Sequence, residues 1–230
     1  QGYEFHKTVI CSKIRGVYSE INRIFSGKAD DSLLKKYRPV MPSLLHAREL
    51  AQCLKQLSEQ RGTVDLESRE SRFFLDEEGV CVDIHPRVSG EAEGLIEQMM
   101  IVANEAAALY ARSSGIPFVY RVHESPAPDR IHNLAELAGL LGFSVRKLTP
   151  EVRTADLAAL MEKAKQTKYA TIISHQMLRT MAKARYDSHP IGHFGLALSD
   201  YCHFTSPIRR YPDLAIHRIL SELTNGASPS

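Results

Sequence analysis

The chain has 230 residues, of which 43% are hydrophobic and 24% are charged, so it can bury a sizeable core and does not have the composition of a disordered protein. Its net charge of +2 balances 29 basic against 27 acidic residues, which excludes nucleic-acid binding through bulk charge and leaves only local basic clusters. It has no tryptophan and only 7% aromatic residues, which argues against a single-strand binder built wholly on stacking.

The hydrophobic pattern predicts strands mixed irregularly with helices. In chain order these are a strand over 3–11, helices over 17–25 and 44–57, a hairpin with strands 72–75 and 80–84, a helix over 89–113, a strand over 118–122, helices over 128–141, 154–165 and 174–185, a strand over 194–198 and a helix over 207–223. Ser43 is the predicted N-cap of the second helix, Gly79 lies in the hairpin turn, and the tail 224–230 is expected to fray. This mixture predicts an α+β fold with a mixed sheet and many surrounding helices.

The four cysteines are widely spaced and form no CxxC pair, so neither a zinc ribbon nor a disulfide framework is predicted. We interpret them as reduced thiols of a cytoplasmic protein. No apolar run approaches the roughly 18 residues of a membrane span, and residues 1–6 are not a signal peptide. The chain has no initiator methionine and begins in a predicted strand, so we expect it to be part of a longer protein.

The segment HFTSPIRRYPDL, residues 203–214, contains the most informative basic cluster. Ser206 followed by Pro207 is typical of a helix start, with serine as N-cap and proline as the first helical residue. Arg209 and Arg210 would then lie in the first turn, where free backbone N–H groups and the helix dipole favour an anion. The sequence therefore predicts an anion site whose natural ligand is phosphate.

Other interpretations of this segment stay open. Both arginines could instead pair with an acidic neighbour such as Asp213 or lie in solvent, and Pro212 would kink the helix or delay its start. Two further histidine patterns are weak. His189 and His193 have the spacing of a zinc pair but are separated by a proline and a glycine, and the His123–Glu124 dipeptide is interpreted as structural.

Residues 193–198, 201–214 and 217–218 resemble the signature block of the ribonuclease II / ribonuclease R family, hydrolytic exoribonucleases that degrade RNA from the 3′ end. The bacterial ribonuclease R branch is the most similar. Weaker matches follow in the expected order at 9–12 with Arg15 and Tyr18, 61–62 with Asp65, 95–97 with 103–105, and 120–124 with Pro126. The resemblance implies that residues 1–230 are part of one catalytic domain of the ribonuclease II type, without its N-terminal acidic segment.

The resemblance also implies roles for single residues. Arg209 matches the family's catalytic arginine, which neutralises charge growing on the scissile phosphate. Tyr18 and Glu97 match positions that contact the 3′-terminal ribose and select RNA through its 2′-hydroxyl. From the residues alone, Tyr18 could equally be a half-buried helix tyrosine and Glu97 an exposed helix carboxylate. The remaining candidate contacts to single-stranded RNA are His203, Ser206 and Arg210.

Magnesium is the cofactor that the resemblance implies, held by an aspartate cluster upstream of residue 1. No such run occurs here, and the acidic residues at 30–31 and 76–78 are interpreted as loop charge. Two-metal hydrolysis needs carboxylates that hold ions roughly 3.5–4 Å apart. In addition, Leu66 stands where the family often has a base-stacking aromatic residue.

The leading hypothesis is therefore the RNA-binding and transition-state-stabilising part of a processive, magnesium-dependent 3′-to-5′ exoribonuclease that releases nucleoside 5′-monophosphates. The chain alone is expected to be inactive. Two alternatives remain: a non-catalytic RNA-binding relative that keeps the fold without the metal site, and a metabolic hydrolase whose arginines bind a small phosphorylated substrate.

Overall fold

In the computed structural model, the described residues are 2–64, 71–86 and 89–224. Their helices are α1 (Tyr18–Phe25), α2 (Asp31–Tyr37), α3 (Met41–Arg61), α4 (Glu91–Ser114), α5 (Pro128–Leu140), α6 (Thr154–Lys165), α7 (Ala170–Thr180) and α8 (Tyr211–Thr224). Their strands are β1 (Ser71–Leu75), β2 (Cys81–Pro86), β3 (Tyr120–Val122) and β4 (Arg185–Asp187), and short 3-10 turns lie at Arg38–Val40 and Phe194–Leu196. No helix within these ranges has the length and apolar content needed to cross a membrane.

The described residues divide into two compact units. The first contains residues 2–10, 54–64 and 99–224, and the second contains 11–53, 71–86 and 89–98. Helices α3 and α4 contribute residues to both units. The single domain expected over 1–230 stays a prediction, since two compact units can belong to one domain or to two.

A buried apolar cluster in the first unit joins α4, β3 and α8. The fully buried side chains that α4 contributes are small, since Ala107, Ala108 and Ala111 are each 0% exposed. Small side chains let neighbouring elements approach the helix backbone closely, and the larger residues Phe118, Val122 and Ile216 fill the remaining space. This packing fixes α4 beside the segment that precedes α8.

The start of α1 in the second unit depends on a tyrosine rather than on a side-chain cap. The buried Tyr37 hydroxyl accepts a hydrogen bond from the Val17 N–H (3.0 Å) and donates one to Glu20 (2.6 Å). Burial raises the pKa of Tyr37, while the hydrogen bond from Lys36 lowers the pKa of Glu20. The Tyr37 hydroxyl therefore holds both the Val17 N–H and the Glu20 carboxylate at the start of α1.

Strands β1 and β2 form an antiparallel hairpin in which Phe73 pairs with Ile84. The Asp76 carboxylate closes the turn by accepting hydrogen bonds from the N–H groups of Glu78 (3.1 Å) and Val80 (2.8 Å). Gly79 has a φ of +81°, a conformation that favours glycine. The predicted hairpin with glycine in its turn is confirmed.

The α+β class is confirmed, but the described strands pair as two separate antiparallel ribbons, β1–β2 and β3–β4, rather than as one mixed sheet. The predicted helices over 17–25, 89–113, 128–141 and 154–165 are confirmed to within about two residues. The helix expected over 174–185 occupies Ala170–Thr180 instead.

Three predicted features are wrong. Residues 3–11 form no strand, because no described strand pairs with them and Val9 is fully exposed. Ser43 is not a cap, because the 3-10 turn before it runs directly into α3 at Met41. Residues 194–196 form a 3-10 turn rather than a strand, and Ala197 follows with a left-handed φ of +51°. Residues 225–230 of the tail lie outside the described residues.

Candidate functional site

The segment Phe204–Arg210, called the arginine loop below, leads into α8. That helix begins at Tyr211 with Pro212 as its second residue, so Ser206 is not its N-cap and the arginines precede its first turn. Proline tolerates the first helical turn and not the interior, so the helix starts late, as Pro212 allowed. The backbone N–H groups of Arg209 and Arg210 donate to the Ser206 carbonyl at 3.3 and 3.1 Å. They are consequently not free to bind an anion as the sequence predicted.

Asn104 of α4 holds the beginning of the arginine loop. Its side-chain oxygen accepts hydrogen bonds from the N–H groups of Phe204 (2.9 Å) and Thr205 (3.2 Å). Its amide nitrogen donates to the Tyr201 hydroxyl (3.0 Å), and its carbonyl accepts from the Cys202 thiol (3.1 Å). Asn104 is only 2% exposed, so these partners satisfy a polar group that is costly to bury alone.

Asp213 of α8 holds the end of the arginine loop. One carboxylate oxygen accepts from the Ser206 N–H (2.8 Å), and both oxygens accept from the Arg210 guanidinium (2.7 and 2.9 Å). Asp213 is 0% exposed, so its charge is compensated by a two-point ion pair. Arg210 therefore has the acidic partner that the sequence had left open, and its guanidinium is committed to the protein.

Arg209 has the opposite surroundings. Its side chain is exposed, and no ion pair or side-chain hydrogen bond is found for it within the described residues. An unpaired guanidinium on a loop whose backbone is fixed at both ends offers its donors to an external anion. Arg209 is therefore the free cation of this pair of neighbours.

His203 lies beside the arginine loop and contacts the β3–β4 ribbon. Its Nδ1 lies 2.8 Å from the Tyr186 hydroxyl, and the Arg121 guanidinium lies 4.9 Å from the centre of the Tyr186 ring. Burial, followed by the nearby Arg210 and Arg121, lowers the pKa of His203 to about 4. His203 is thus neutral near pH 7 and can hydrogen-bond to a phosphate without adding charge.

Next along the chain, Phe204 stacks on His217 of α8, with ring centres 4.3 Å apart and an interplanar angle of 13°. The His217 Nε2 lies 3.0 Å from the Phe204 carbonyl oxygen, so it carries the proton and donates. Cys202, just before, is fully buried, and burial raises the pKa of its thiol. The beginning of the arginine loop is thus held by the stacking of Phe204 on His217 and follows a buried, neutral thiol.

The paired histidines at His123 and His193 are structural. Nδ1 of His123 accepts from the Gly195 N–H (3.0 Å) and its Nε2 lies 3.0 Å from the Ala182 carbonyl, so both ring nitrogens are occupied. Burial lowers the pKa of His123, and it lowers the pKa of His193 to about 4. Both line an open pocket of about 650 Å³. The interpretation of the His123–Glu124 pair as structural is consistent with this geometry.

Tyr18 and Glu97 belong to the second unit, on α1 and α4. Asn22 of α1 hydrogen-bonds to Glu93 of α4 (2.8 Å) and accepts from the Ala92 N–H (2.8 Å). Residues four apart share a helix face, so Tyr18 lies beside Asn22 and Glu97 beside Glu93. The two faces that carry the predicted ribose contacts are therefore neighbours.

Both of these side chains are accessible. Tyr18 is 44% exposed, which is about half-buried, and Glu97 is exposed, so the structural alternatives for both residues also stay open. The structure thus places one group of predicted residues, His203, Ser206, Arg209 and Arg210, on the arginine loop and beside it. It places the other group, Tyr18 and Glu97, on the joined helices of the second unit.

Within the described ranges, no three histidine, cysteine, aspartate or glutamate side chains are grouped so that they could hold a metal ion. The donors there do not fit the two-magnesium site that the resemblance implies. The position of Leu66 lies outside the described residues.

The sequence marked residues 103–105 as a weak match to the family but assigned no role to Asn104. A weak signal was present, because Asn104 lies among apolar and small residues in the middle of a long predicted helix. A polar residue in such a position must find a partner when it is buried.

The chain is similar to known proteins over most of its length. Residues 1–226 match the family model described as the RNB domain. The ribonuclease R of Thermotoga maritima is 42% identical over 219 residues, which are 95% of this chain and 30% of that protein. A structure of Mycoplasma genitalium RNase R in complex with ribose-methylated single-stranded RNA has a TM-score of 0.83 and 33% identity, covering 89% of this chain and 32% of that one.

The structure of yeast Ssd1, a pseudonuclease, has a TM-score of 0.66 over 93% of this chain and 26% of that one. At 19% identity this shows a likeness of fold alone. The chain spans about a third or less of the length of each of these three relatives.

Proposed function

The chain belongs to the RNB-domain family, and from this premise we propose that it is the RNA-binding and transition-state-stabilising part of a hydrolytic 3′-to-5′ exoribonuclease. The observation that carries the proposal is the division of labour between Arg209 and Arg210. Arg210 is held by a buried carboxylate, whereas Arg209 is exposed and unpaired within the described residues.

Arg209 supplies the electrostatic step. Hydrolysis of a phosphodiester builds negative charge on the phosphoryl oxygens, and a guanidinium that is already in place stabilises that charge without reorganisation. The fixed backbone of the arginine loop supplies this preorganisation. Arg210 contributes through structure, because its Nε and one Nη donate to Asp213.

The substrate in this proposal is single-stranded RNA. The similar Mycoplasma protein was solved with a single-stranded RNA, and the adjacent faces of α1 and α4 present Tyr18 and Glu97 for contact with the terminal ribose. His203 and Ser206 lie beside Arg209 and contribute neutral hydrogen-bonding groups to the phosphate backbone.

In this proposal magnesium is held by carboxylates other than those of the described residues, among which no three donors are grouped to hold a metal ion. When bound, the ions would supply the activated water. The proposal has three further parts. The reaction releases nucleoside 5′-monophosphates processively, the protein is cytoplasmic, and the chain alone is inactive. The location is supported by the four unpaired cysteines, all of which lie within the described residues.

Single-turnover cleavage and equilibrium RNA binding test this proposal in the protein that carries the chain with its natural flanking residues. Arg209→Ala should lower the saturated cleavage rate by roughly a hundredfold with little change in affinity, the scale of losing one preorganised donor. Arg209→Lys should restore little of this loss, because an ammonium cannot reproduce the guanidinium fork.

The control for this experiment is Arg146→Ala, which removes an exposed arginine from the loop between α5 and α6. It should leave the cleavage rate at the parental value. Parental cleavage by Arg209→Ala at saturating protein would remove its catalytic role. RNA binding without cleavage by the unaltered protein with magnesium would instead favour the non-catalytic relative.

Ribose selection is tested by Glu97→Ala. A lost hydrogen bond to a 2′-hydroxyl should cost about 1 kcal/mol, so a DNA strand should compete roughly fivefold better against RNA of the same sequence. Glu136→Ala, which removes an exposed glutamate from α5, is the control. Equal RNA-to-DNA preference in the parent and Glu97→Ala would contradict the assignment.

A further inference from the structure

We infer that Asn104 is a positioning residue for the reaction, which sets the geometry of Arg209 by fixing the backbone of the arginine loop from α4. The inference rests on the proposed function and extends it to a residue that does not contact the substrate.

Asn104 hydrogen-bonds to four of the five residues between 201 and 205. Its side chain and carbonyl bind groups of Tyr201, Cys202, Phe204 and Thr205. One oxygen that accepts two consecutive N–H groups fixes the orientation of two peptide planes. Asp213 then accepts the next N–H group, that of Ser206. Three successive backbone donors are therefore directed into the protein.

This arrangement has a consequence for Arg209. The loop has no strand ladder or helix before Tyr211 to hold it, so its path depends on these side-chain acceptors. The N–H groups of 204–206 face inward. A turn over residues 207–209 follows, closed by the Ser206 carbonyl, which accepts from the N–H groups of Arg209 and Arg210. Arg209 projects from this turn. A small displacement of the turn would move its guanidinium away from the developing charge.

The backbone of α4 makes Asn104 a rigid support. Three alanines just after it are fully buried in the apolar cluster, so α4 cannot shift without disturbing the core. The loop is consequently held by a helix whose own position is fixed in the core.

The decisive variants are Asn104→Leu and Asn104→Asp. Leucine keeps approximately the volume but removes the acceptor, whereas aspartate keeps an oxygen for both N–H groups and a second one that can accept from the Tyr201 hydroxyl. Asn104→Leu should lower the saturated single-turnover cleavage rate by roughly ten- to a hundredfold, with RNA affinity nearly unchanged. Asn104→Asp should retain most of the rate.

Tyr201→Phe is the matched control. It leaves the Asn104 amide nitrogen without its partner but does not touch the acceptor of the two loop N–H groups. A purely structural role for Asn104 predicts that Tyr201→Phe and Asn104→Leu slow cleavage alike. The positioning role predicts a near-parental rate for Tyr201→Phe. If Asn104→Leu does not fold, Asn104→Ser takes its place, since its shorter hydroxyl cannot serve both N–H groups.

A double-mutant cycle tests whether Asn104 acts through Arg209. If Asn104 acts through Arg209, Asn104→Leu should have no further effect on cleavage when Arg209 is already alanine. An equal rate loss in both backgrounds would overturn the inference. If Arg209→Ala alone cleaves at the parental rate, both the proposed function and the inference are wrong. If Arg209→Ala is slow but Asn104→Leu cleaves at the parental rate, only the inference is wrong.

Discussion

The arginine loop and the β1–β2 hairpin differ in what holds them. The hairpin has a regular antiparallel ladder, yet the side chains of one face, Phe73, Leu75, Val82 and Ile84, are 55–63% exposed. The arginine loop has no ladder, yet Asn104 and Asp213, both at least 98% buried, accept its successive N–H groups. Regular secondary structure and tertiary anchoring are therefore separate properties. The proposed catalytic arginine lies on the anchored irregular segment.

The largest effect expected from this contrast is on stability, at Asp213. Asp213→Ala leaves the Arg210 guanidinium without its buried partner and should lower the free energy of unfolding by about 3–5 kcal/mol. Asp213→Asn keeps an acceptor for the Ser206 N–H and should cost less. Urea unfolding followed by circular dichroism measures both. A loss below about 1 kcal/mol for the alanine variant would mean that the loop is not anchored at this end.

An intermediate effect concerns pH and His203 beside the loop. Its folded pKa of about 4 lies below the ordinary value of 6.5, so the stability it contributes is present above pH 6.5 and is lost as pH falls toward 4. His203→Gln should therefore flatten the fall of the unfolding free energy over this range by up to about 1.4 kcal/mol per pH unit. His193, whose pKa is also lowered to about 4, provides a second test. An unchanged slope in both variants would contradict the assigned burial.

The smallest effect is expected in the hairpin. Ile84→Thr exchanges an exposed β-branched side chain for another of similar shape, so the free energy of unfolding of the chain should change by less than about 0.5 kcal/mol. Leu134→Ala, in the buried part of α5, should cost about 2–5 kcal/mol in the same assay. A loss of more than about 1 kcal/mol for Ile84→Thr would mean that this face is covered, and the contrast with the arginine loop would disappear.

Local patterns predicted the elements that local forces determine. Helix α6 has the predicted bounds because its apolar residues follow the helical period and are buried, although its N-cap residue, Arg153, makes no side-chain capping hydrogen bond. The hairpin follows from a glycine between two apolar runs. The strands expected at 3–11 and 194–198 were wrong because β-propensity alone does not provide a partner. The late start of α8 depends on the competition between two prolines, which the sequence raised but did not decide.

The site was predictable only in part, for a similar reason. The segment of residues 203–214 identifies the arginines and offers Asp213 as a possible partner, but it does not decide which arginine Asp213 binds. The anchoring of the loop on α4 depends on a contact across the fold. Asn104 reaches Phe204 over 100 residues of sequence, and no local pattern reports such a contact. From the residues alone, Arg209 and Arg210 were equally good candidates to bind an anion, and only the resemblance to the family distinguished Arg209.

The buried Cys202 thiol can report how often the arginine loop separates from α4. It donates to the Asn104 carbonyl, and its raised pKa keeps it in the unreactive thiol form, whereas Cys11, Cys53 and Cys81 are exposed. With the other three replaced by serine, alkylation of Cys202 would proceed only during openings that release the loop from α4. The rate of alkylation would then measure the rate of those openings, and the measurement needs neither bound RNA nor cleavage.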